Sequence, residues 1–417
     1  MPNYLDIFAG AGGLSEGFIR AGYEPVAHIE MDTAACYTLK TRLAYKWLAD
    51  HNQEVLYNQY LQGIVTRAEL YDAVPDELLN SVLNYEISEE CLEEIFETID
   101  GMLNDEPLEL IVGGPPCQAY SLVGRARDEN GMVGDQRNYL YILYAKFLNR
   151  YHPKYFVFEN VVGLFSAKDT DGELYLEKMQ QLFRECGYSI EYRLLNAKDY
   201  GVLQNRERII LVGKYGEHSD FYPDIPAEEN IYMVQSVFYD LPKIHAGEGV
   251  CTPVPTLHYN GQYLYFSRIK EYDLEPVTFH CARPHTQQDL EIYRRVVQLW
   301  NDEQKRMCYS DLPNELQSQN NLKSFLDRFK VVAANLSFSQ TVVAHISKDG
   351  HYFIHPDLEQ NRSLTPREVA RLQTFPDNYY FESVSGKPSR TAAFKQIGNA
   401  VPVLLAEKIA TALLEVW

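Results

Sequence analysis

The first twenty residues constrain the fold more than any other stretch. Tyr4-Leu-Asp-Ile-Phe8 is a short apolar run that ends in Ala9-Gly-Ala-Gly-Gly13, and residues 14–21 continue with helical spacing. A strand, a glycine turn and a helix in immediate succession open a parallel βαβ unit. Gly10, Gly12 and Gly13 let backbone N–H groups approach a ligand at the amino terminus of that helix. Pro25-Val-Ala-His-Ile29 reads as a second strand and leads into Glu30, 17 residues past Gly13, where a carboxylate can take both hydroxyls of a ribose. Residues 108–112 and 155–158 are further brief apolar runs of the kind buried in a parallel sheet, with a helical pattern over 139–151 between them. Strands alternating with helices predict a doubly wound α/β domain. Taken alone, the glycine turn suits nicotinamide dinucleotides, flavins and S-adenosylmethionine equally, and a plain structural turn would look the same.

The rest of the chain is less regular. Residues 50–109 hold 16 acidic side chains and one basic, a local net of −15, so the remainder contributes only −5 to the total of −20. Residues 110–214 hold 14 Lys/Arg against 12 Asp/Glu. Overall acidity is therefore the property of one segment and does not exclude a nucleic-acid substrate, which usually demands a basic footprint. Leu92, Ile95, Phe96, Ile99 and Leu103 follow helical spacing behind Ser88, a candidate cap with Glu89 and Glu90 in the first turn. Residues 41–107 read as a mostly helical surface insertion that projects away from any DNA cleft.

From about residue 215 the alternation fades. Pro, Tyr and polar residues surround an amphipathic helix near 289–304 and strand-like patches at 341–346 and 351–354, as in a smaller α+β domain. Pro402 then opens a last helix over 403–416. A length of 417 residues suits two domains. No run of about 18 apolar residues predicts a membrane span. The amino terminus reads as a strand and not a signal peptide. Seven dispersed cysteines without a Cys-x-x-Cys pair fit a reducing cytosol. His280-Cys281 with His285, or Cys251 with His258, do not make four ligands at a recognised spacing, so no metal is expected.

The most specific segment is Gly113-Gly-Pro-Pro-Cys-Gln-Ala-Tyr-Ser121. Cys117 lies just beyond a buried strand, on a turn stiffened by two prolines, at the carboxyl edge where α/β sheets place ligands. A lone cysteine is usually an inert core residue. One exposed on such a turn can serve as a thiolate nucleophile. The segment resembles the DNA cytosine 5-methyltransferase family, whose nucleophile lies in a Pro-Cys-Gln motif. Other blocks follow in the family's order. Asp6-Ile-Phe-Ala-Gly-Ala-Gly-Gly-Leu14 is similar to the first cofactor motif, and Asp135-Gln-Arg-Asn-Tyr-Leu140 to the segment whose leucine borders the cofactor. Phe158-Glu-Asn-Val161 and Gln204-Asn-Arg-Glu-Arg208 resemble the Glu-Asn-Val and Gln-x-Arg-x-Arg motifs. Residues 362–376 resemble the motif that shapes the recognition domain, and Gln396-Ile-Gly-Asn-Ala-Val-Pro402 the closing motif that folds back to the cofactor.

The resemblance implies a Rossmann-like methyltransferase sheet over residues 1–213, completed by 391–417, and a smaller α+β target-recognition domain over 214–390. It implies S-adenosylmethionine as cofactor, held by Asp6, Phe8, Gly10, Gly12, Gly13, Leu14, Glu30, Met31, Pro116, Leu140, Asn399 and Val401. The family's adenine-contacting Asp, often in Gly-Asp-Ile, has no direct counterpart. Gln62-Gly-Ile64 lacks the carboxylate, and Asp105 is the substitute.

Carbon 5 of cytosine is a poor nucleophile until a thiolate adds at carbon 6, the role the resemblance gives Cys117. Glu159 is the candidate to share a proton at the ring nitrogen, the resemblance gives Arg208 the carbonyl oxygen and Arg206 a contact with base or backbone, and Asn160 is expected to orient the Glu159 loop. Duplex cytosine must be flipped out to reach such a pocket. Residues 121–134, with Arg125, Arg127 and three glycines, suit a loop that closes over DNA, and Gln118, Ser121 and Gln204 are the other expected DNA contacts. A tRNA-methylating relative would share the catalytic set, but the long 215–355 region favours DNA. A non-catalytic DNA-binding protein would have no use for Cys117. The expected setting is a monomer acting on double-stranded DNA in a prokaryotic cytoplasm, in a restriction-modification or solitary methylation system, any cognate endonuclease acting separately.

Overall fold

A computed structural model describes residues 1–116, Tyr120, 136–318 and 325–417. Its centre is a seven-stranded sheet in the order β3-β2-β1-β4-β5-β7-β6. The strands are β1 (Asn3–Ile7), β2 (Glu24–Ile29), β3 (Val82–Leu83), β4 (Leu110–Gly113), β5 (Tyr155–Asn160), β6 (Tyr188–Asn196) and β7 (Glu207–Tyr215). The first five pair in parallel, while β7 lies antiparallel between β5 and β6. Both faces are covered, so β4 and β5 read as continuous apolar runs. In β1 the alternation of side chains decides the packing. Leu5 and Ile7 join a cluster with helices Leu92–Leu103, Leu140–Tyr151 and Tyr175–Glu185, and Tyr4 joins the opposite cluster with helices Gly13–Arg20 and Val403–Glu415. This is the expected doubly wound architecture. The chain leaves β1 first toward β2 and later toward β4, so the sheet's switch point lies at the carboxyl end of β1.

The carboxy-terminal helix closes this layer. Gly17 sits so near it that a Cβ there would lie 2.4 Å from the Cβ of Ala406 and 2.5 Å from the Glu407 nitrogen. Among the described residues one helical stretch, Arg390–Glu415, is long and apolar enough to cross a membrane, and 72% of its apolar window is buried inside the fold. It is interrupted between Asn399 and Val403, and its apolar side chains belong to the core.

The 41–107 segment is not a surface insertion. It carries β3, which extends the sheet, and helix Leu92–Leu103, whose apolar stripe packs under β1 and β4. Helices Glu54–Leu61, Arg67–Tyr71 and Asp76–Asn80 contribute Tyr57, Tyr60, Leu70 and Leu79 to the largest apolar cluster, with Phe375, Tyr379 and Phe381. The acids lie on the outer faces of these helices, so the composition hides the inner face. Helix Leu92–Leu103 also begins later than Ser88 suggests, because the backbone N–H of Ser88 donates to the Cys91 thiol and Cys91 takes the cap position.

The amphipathic helix near residue 290 is present as Gln287–Glu303, but the patches at 341–346 and 351–354 are not strands. Ala344–Ser347 is a 3₁₀ turn, and the Val342 backbone is occupied by the side chains of Gln204 and Arg206. Ile354 makes only isolated bridges, to Val331 and Ser363. The regular pairing in this region is a short antiparallel ladder of β8 (Gly249–Val250) with β9 (His280–Cys281).

Helix Pro366–Leu372 is buried along its whole length. Thr365 and Glu368 form a capping box, and Pro366 starts the helix. Arg362 grips Glu368 through two bonds of 2.7 and 2.8 Å. Arg371 bridges Asp240 and Asp377, both at 2.6 Å, and Lys270 shares Asp240 at 2.5 Å. Removing one partner of a buried ionic cluster strands the others. Arg371→Leu should therefore cost about 3–5 kcal/mol of unfolding free energy by urea titration.

Glu275 lies against this cluster. Burial first, and the neighbouring charge of Asp377 second, push its carboxyl from 4.5 up to about 7. A raised folded-state pKa means the native state holds the proton more tightly, so its stabilising effect is complete below about 4.5 and is lost as pH rises through about 7. Glu275→Gln should be more stable than wild type at pH 8, by up to ~3 kcal/mol, and indistinguishable from it near pH 4.5, as read by thermal unfolding across that range.

Candidate active site

The carboxyl ends of β1, β2, β4 and β5 and the break before the last helix enclose a cavity of about 610 Å³. Its floor is the glycine turn. Phe8 leaves β1 at a φ of 61°, a left-handed conformation uncommon for a bulky residue, and Gly10 follows at 56°. Gly13 allows the turn to touch the chain end, because a Cβ there would lie 2.4 Å from the Val401 carbonyl oxygen.

Glu30 ties β2 to this turn. Its two oxygens accept the N–H groups of Gly10 and Asp32, each at 2.8 Å. Burial raises its pKa, and these backbone donors oppose the rise. Asp6 lies on the Tyr4 side of β1 and lines the cavity, 1% exposed. Neither of its carboxylate oxygens has a hydrogen-bond partner among the described residues. Burial, and next the charge of Glu30, push its pKa well above the usual carboxylate range. An isolated buried carboxylate needs a proton or a cation. The cavity therefore offers a place for the positively charged end of a ligand.

Glu159, near the end of β5, pairs with Arg208 of β7 at 2.5 Å, and both line the cavity. Gly114 passes directly over Glu159: a Cβ there would lie 2.5 Å from its carbonyl oxygen and 2.7 Å from its carboxylate. Asn160 accepts the Val161 N–H and donates to the Pro115 carbonyl at 3.5 Å, tying the end of β5 to the Pro-Pro turn.

Asp6, Phe8, Gly10, Gly13, Leu14, Glu30, Met31, Pro116, Leu140, Asn399 and Val401 all line the cavity. Gly12 does not; it caps helix Gly13–Arg20 at a φ of 79°, where a Cβ would meet Leu39 and the Tyr379 hydroxyl at 2.8 Å. Arg206 does not line the cavity either. It is buried away from the cavity, and its guanidinium donates to the carbonyls of Val342, Gly398 and Ala400. Gln204, expected to meet DNA, is wholly buried and bonded to Leu372, Gln373 and Val342. Cys117, Gln118, Ser121, Arg125 and Arg127 lie outside the described residues.

Gln62, Ile64 and Asp105 are remote from the cavity wall, which is instead lined by Tyr85, Glu86 and Ile87 directly after β3. The signal was a carboxylate at a strand end, but β3 spans only two residues between acidic helices. Gln396, the first residue of the closing motif, and Lys395 just ahead of it are further lining residues. Of the cysteine and histidine candidates, Cys251 and Cys281 approach to 2.7 Å between sulfurs, His258 bonds Asp273 and His280 bonds the Pro242 carbonyl.

A glycine turn at the switch point and a β5–β7–β6 antiparallel edge define a Rossmann-like methyltransferase fold. The profile of the C-5 cytosine-specific DNA methylases matches residues 3–56 and 84–415. The chain belongs to that family and is a DNA cytosine 5-methyltransferase. It is 37% identical to the Type II methyltransferase M.Bpa9945I of Bacillus paralicheniformis, over 99% of this chain and 98% of that one. It is 29% identical to the Type II methyltransferase M.DdeI of Desulfomicrobium norvegicum, over 98% and 87%. Among solved structures, a candidate DNA modification methyltransferase encoded within an E. coli prophage superposes with a TM-score of 0.62 at 21% identity, over 100% of this chain and 99% of that one. That likeness concerns the fold.

The contact of Gly114 with Glu159 is open to a direct test. Gly114→Ala must push the Glu159 carboxylate or the Pro-Pro turn aside. Methyl transfer should fall at least about tenfold, equivalent to ~1.4 kcal/mol, while the melting temperature changes by only a few degrees; steady-state kinetics with duplex DNA and thermal unfolding read the two effects.

Proposed function

We propose that this enzyme methylates carbon 5 of a flipped-out cytosine within a specific duplex sequence, through a covalent adduct at Cys117. The observation that carries the reading is the Glu159–Arg208 pair lining the cavity, pressed against Gly114, three residues before Cys117. The Cys117 thiolate forms a bond to carbon 6 of the ring, and the electron pair of the 5,6 double bond moves toward carbon 5 and the ring nitrogen. Glu159 shares a proton with that nitrogen, and Arg208 donates to the neighbouring carbonyl oxygen. S-adenosylmethionine, the cofactor of the family, supplies an electrophilic methyl group when bound. Loss of the carbon 5 proton then expels the thiolate and restores the ring.

The donor set of the cavity fits that cofactor. Glu30 faces a ribose, Asp6 matches an ammonium, and the N–H groups at the start of helix Gly13–Arg20 match a carboxylate. Glu86 stands where the family's adenine-contacting Asp is expected. Residues 214–390 carry target recognition. The Type II names of the relatives support a restriction-modification setting; within it we read the methylase as a monomer acting in a bacterial cytoplasm, apart from any nuclease.

Cys117→Ser should bind cofactor and DNA but retain less than a few per cent of wild-type turnover. Duplex DNA bearing 5-fluorocytosine at the target should trap a denaturation-resistant species whose mass localises to Cys117. Turnover near wild type in the serine variant, or no trapped species, would discard the covalent route.

A further inference from the structure

Residues 57–83 lie outside the family profile, yet two of their side chains reach toward the cavity wall. Tyr60 donates its hydroxyl to one oxygen of Glu382, and Arg67 donates to the other at 3.3 Å. The Arg67 guanidinium also bonds the carbonyls of Ser383 and Val384 and lies 3.6 Å over the Tyr37 ring. Glu382 is 1% exposed, and its one other carboxylate donor among the described residues is the Thr41 hydroxyl, at 2.8 Å.

The backbone of Glu382 holds the next link. Its carbonyl accepts the Gln396 amide nitrogen at 2.8 Å, and its N–H donates to the Thr38 hydroxyl at 2.8 Å. That hydroxyl in turn donates to the Gln396 amide oxygen at 2.6 Å. The Gln396 side chain is thus pinned at one end by the Glu382 carbonyl and at the other by Thr38, which the Glu382 N–H also contacts. Gln396 lines the cavity, as do Lys395 and Asn399 on the same helix, Arg390–Asn399.

We propose that Tyr60 and Arg67 are positioning residues for the cofactor: acting through Glu382, they hold Gln396 and its helical turn against the cavity. The inference rests on the cofactor reading above and deepens it. Without its two donors, Glu382 is a buried carboxylate left with one hydroxyl, and it must take up a proton or turn toward solvent. A turn toward solvent drags the Glu382 backbone with it and moves the carbonyl that anchors Gln396. The segment that sets this chain apart from its family profile therefore tunes cofactor affinity without touching the cofactor.

The test uses Tyr60→Phe and Arg67→Met in the full chain. Calorimetry with S-adenosylmethionine and with S-adenosylhomocysteine, without DNA, should show both dissociation constants raised about 5- to 20-fold in Arg67→Met and less in Tyr60→Phe. The KM for cofactor should rise in step, while kcat at saturating cofactor and duplex affinity stay within about twofold. Leu70→Ala, buried in the same segment but with no side-chain group that can hydrogen-bond Glu382, should lower the melting temperature and leave cofactor affinity unchanged. In a Gln396→Ala background, adding Arg67→Met should have little further effect on affinity. Unchanged cofactor binding in both Tyr60→Phe and Arg67→Met, with a melting temperature lowered as in Leu70→Ala, would reduce the insertion to a structural brace and overturn the inference. Wild-type protein that binds neither compound would instead overturn the cofactor reading itself.

Discussion

Arg371, fully buried between Asp240 and Asp377, is the contact on which the second half of the chain depends. Its charge is satisfied only if three distant segments converge, because Lys270 shares Asp240 from a further loop. A cluster of this kind adds little net stability over an apolar core, but it tolerates no other arrangement. Its consequence reaches the catalytic layer through the adjoining residues. Gln373 donates to the Ile397 and Ala400 carbonyls, and the Thr374 hydroxyl accepts the Leu404 N–H. From the opposite side Arg206 takes the Gly398 and Ala400 carbonyls. The break before the last helix, where Asn399, Ala400 and Val401 meet the cavity, is thus held from both sides.

The cavity itself is built from charges of unequal standing. Glu159 has Arg208, and Asp32 has Lys395 at 2.6 Å, so two carboxylates are matched within the chain. Glu30 is matched by backbone N–H groups, and Asp6 has no hydrogen-bond partner among the described residues. That gradation divides the site into a part complete before binding and a part that a cationic ligand completes. The matched pair Glu159–Arg208 belongs to the first. Both side chains of that pair are held in place before any ligand enters the cavity.

Much of this was legible in the amino-acid order, for a local reason. The glycine turn, Glu30 and the Glu159 strand end are defined by neighbours in sequence, and the strands and helices around them follow from apolar periodicity. The inward packing of Arg206 and Gln204 was not legible, because a motif records which residues occur together and not which way each side chain turns. Both have backbone partners more than 100 residues away, which no local pattern discloses. Residues 41–107 were misread for the opposite reason. Their acids are conspicuous and exposed, while Tyr57, Tyr60 and Leu70, which dock the segment, are thinly spaced over short helices. Glu86 was hidden by the brevity of β3, since two residues carry no alternation to recognise.

The contact between Gly17 and Ala406 joins the first helix of the chain to the last. Val401 closes on Gly13 in the same layer, so the wall of the cavity is shared between residues separated by almost the whole chain. During synthesis the ribosome releases the glycine turn first and its partner last. A nascent chain can fold β1, β2 and β4 while the cavity still lacks one side. Ligand binding therefore cannot assist the early steps of folding. It becomes available only once Val401 has reached Gly13, and a chain interrupted before residue 395 leaves the cavity open to water along one wall.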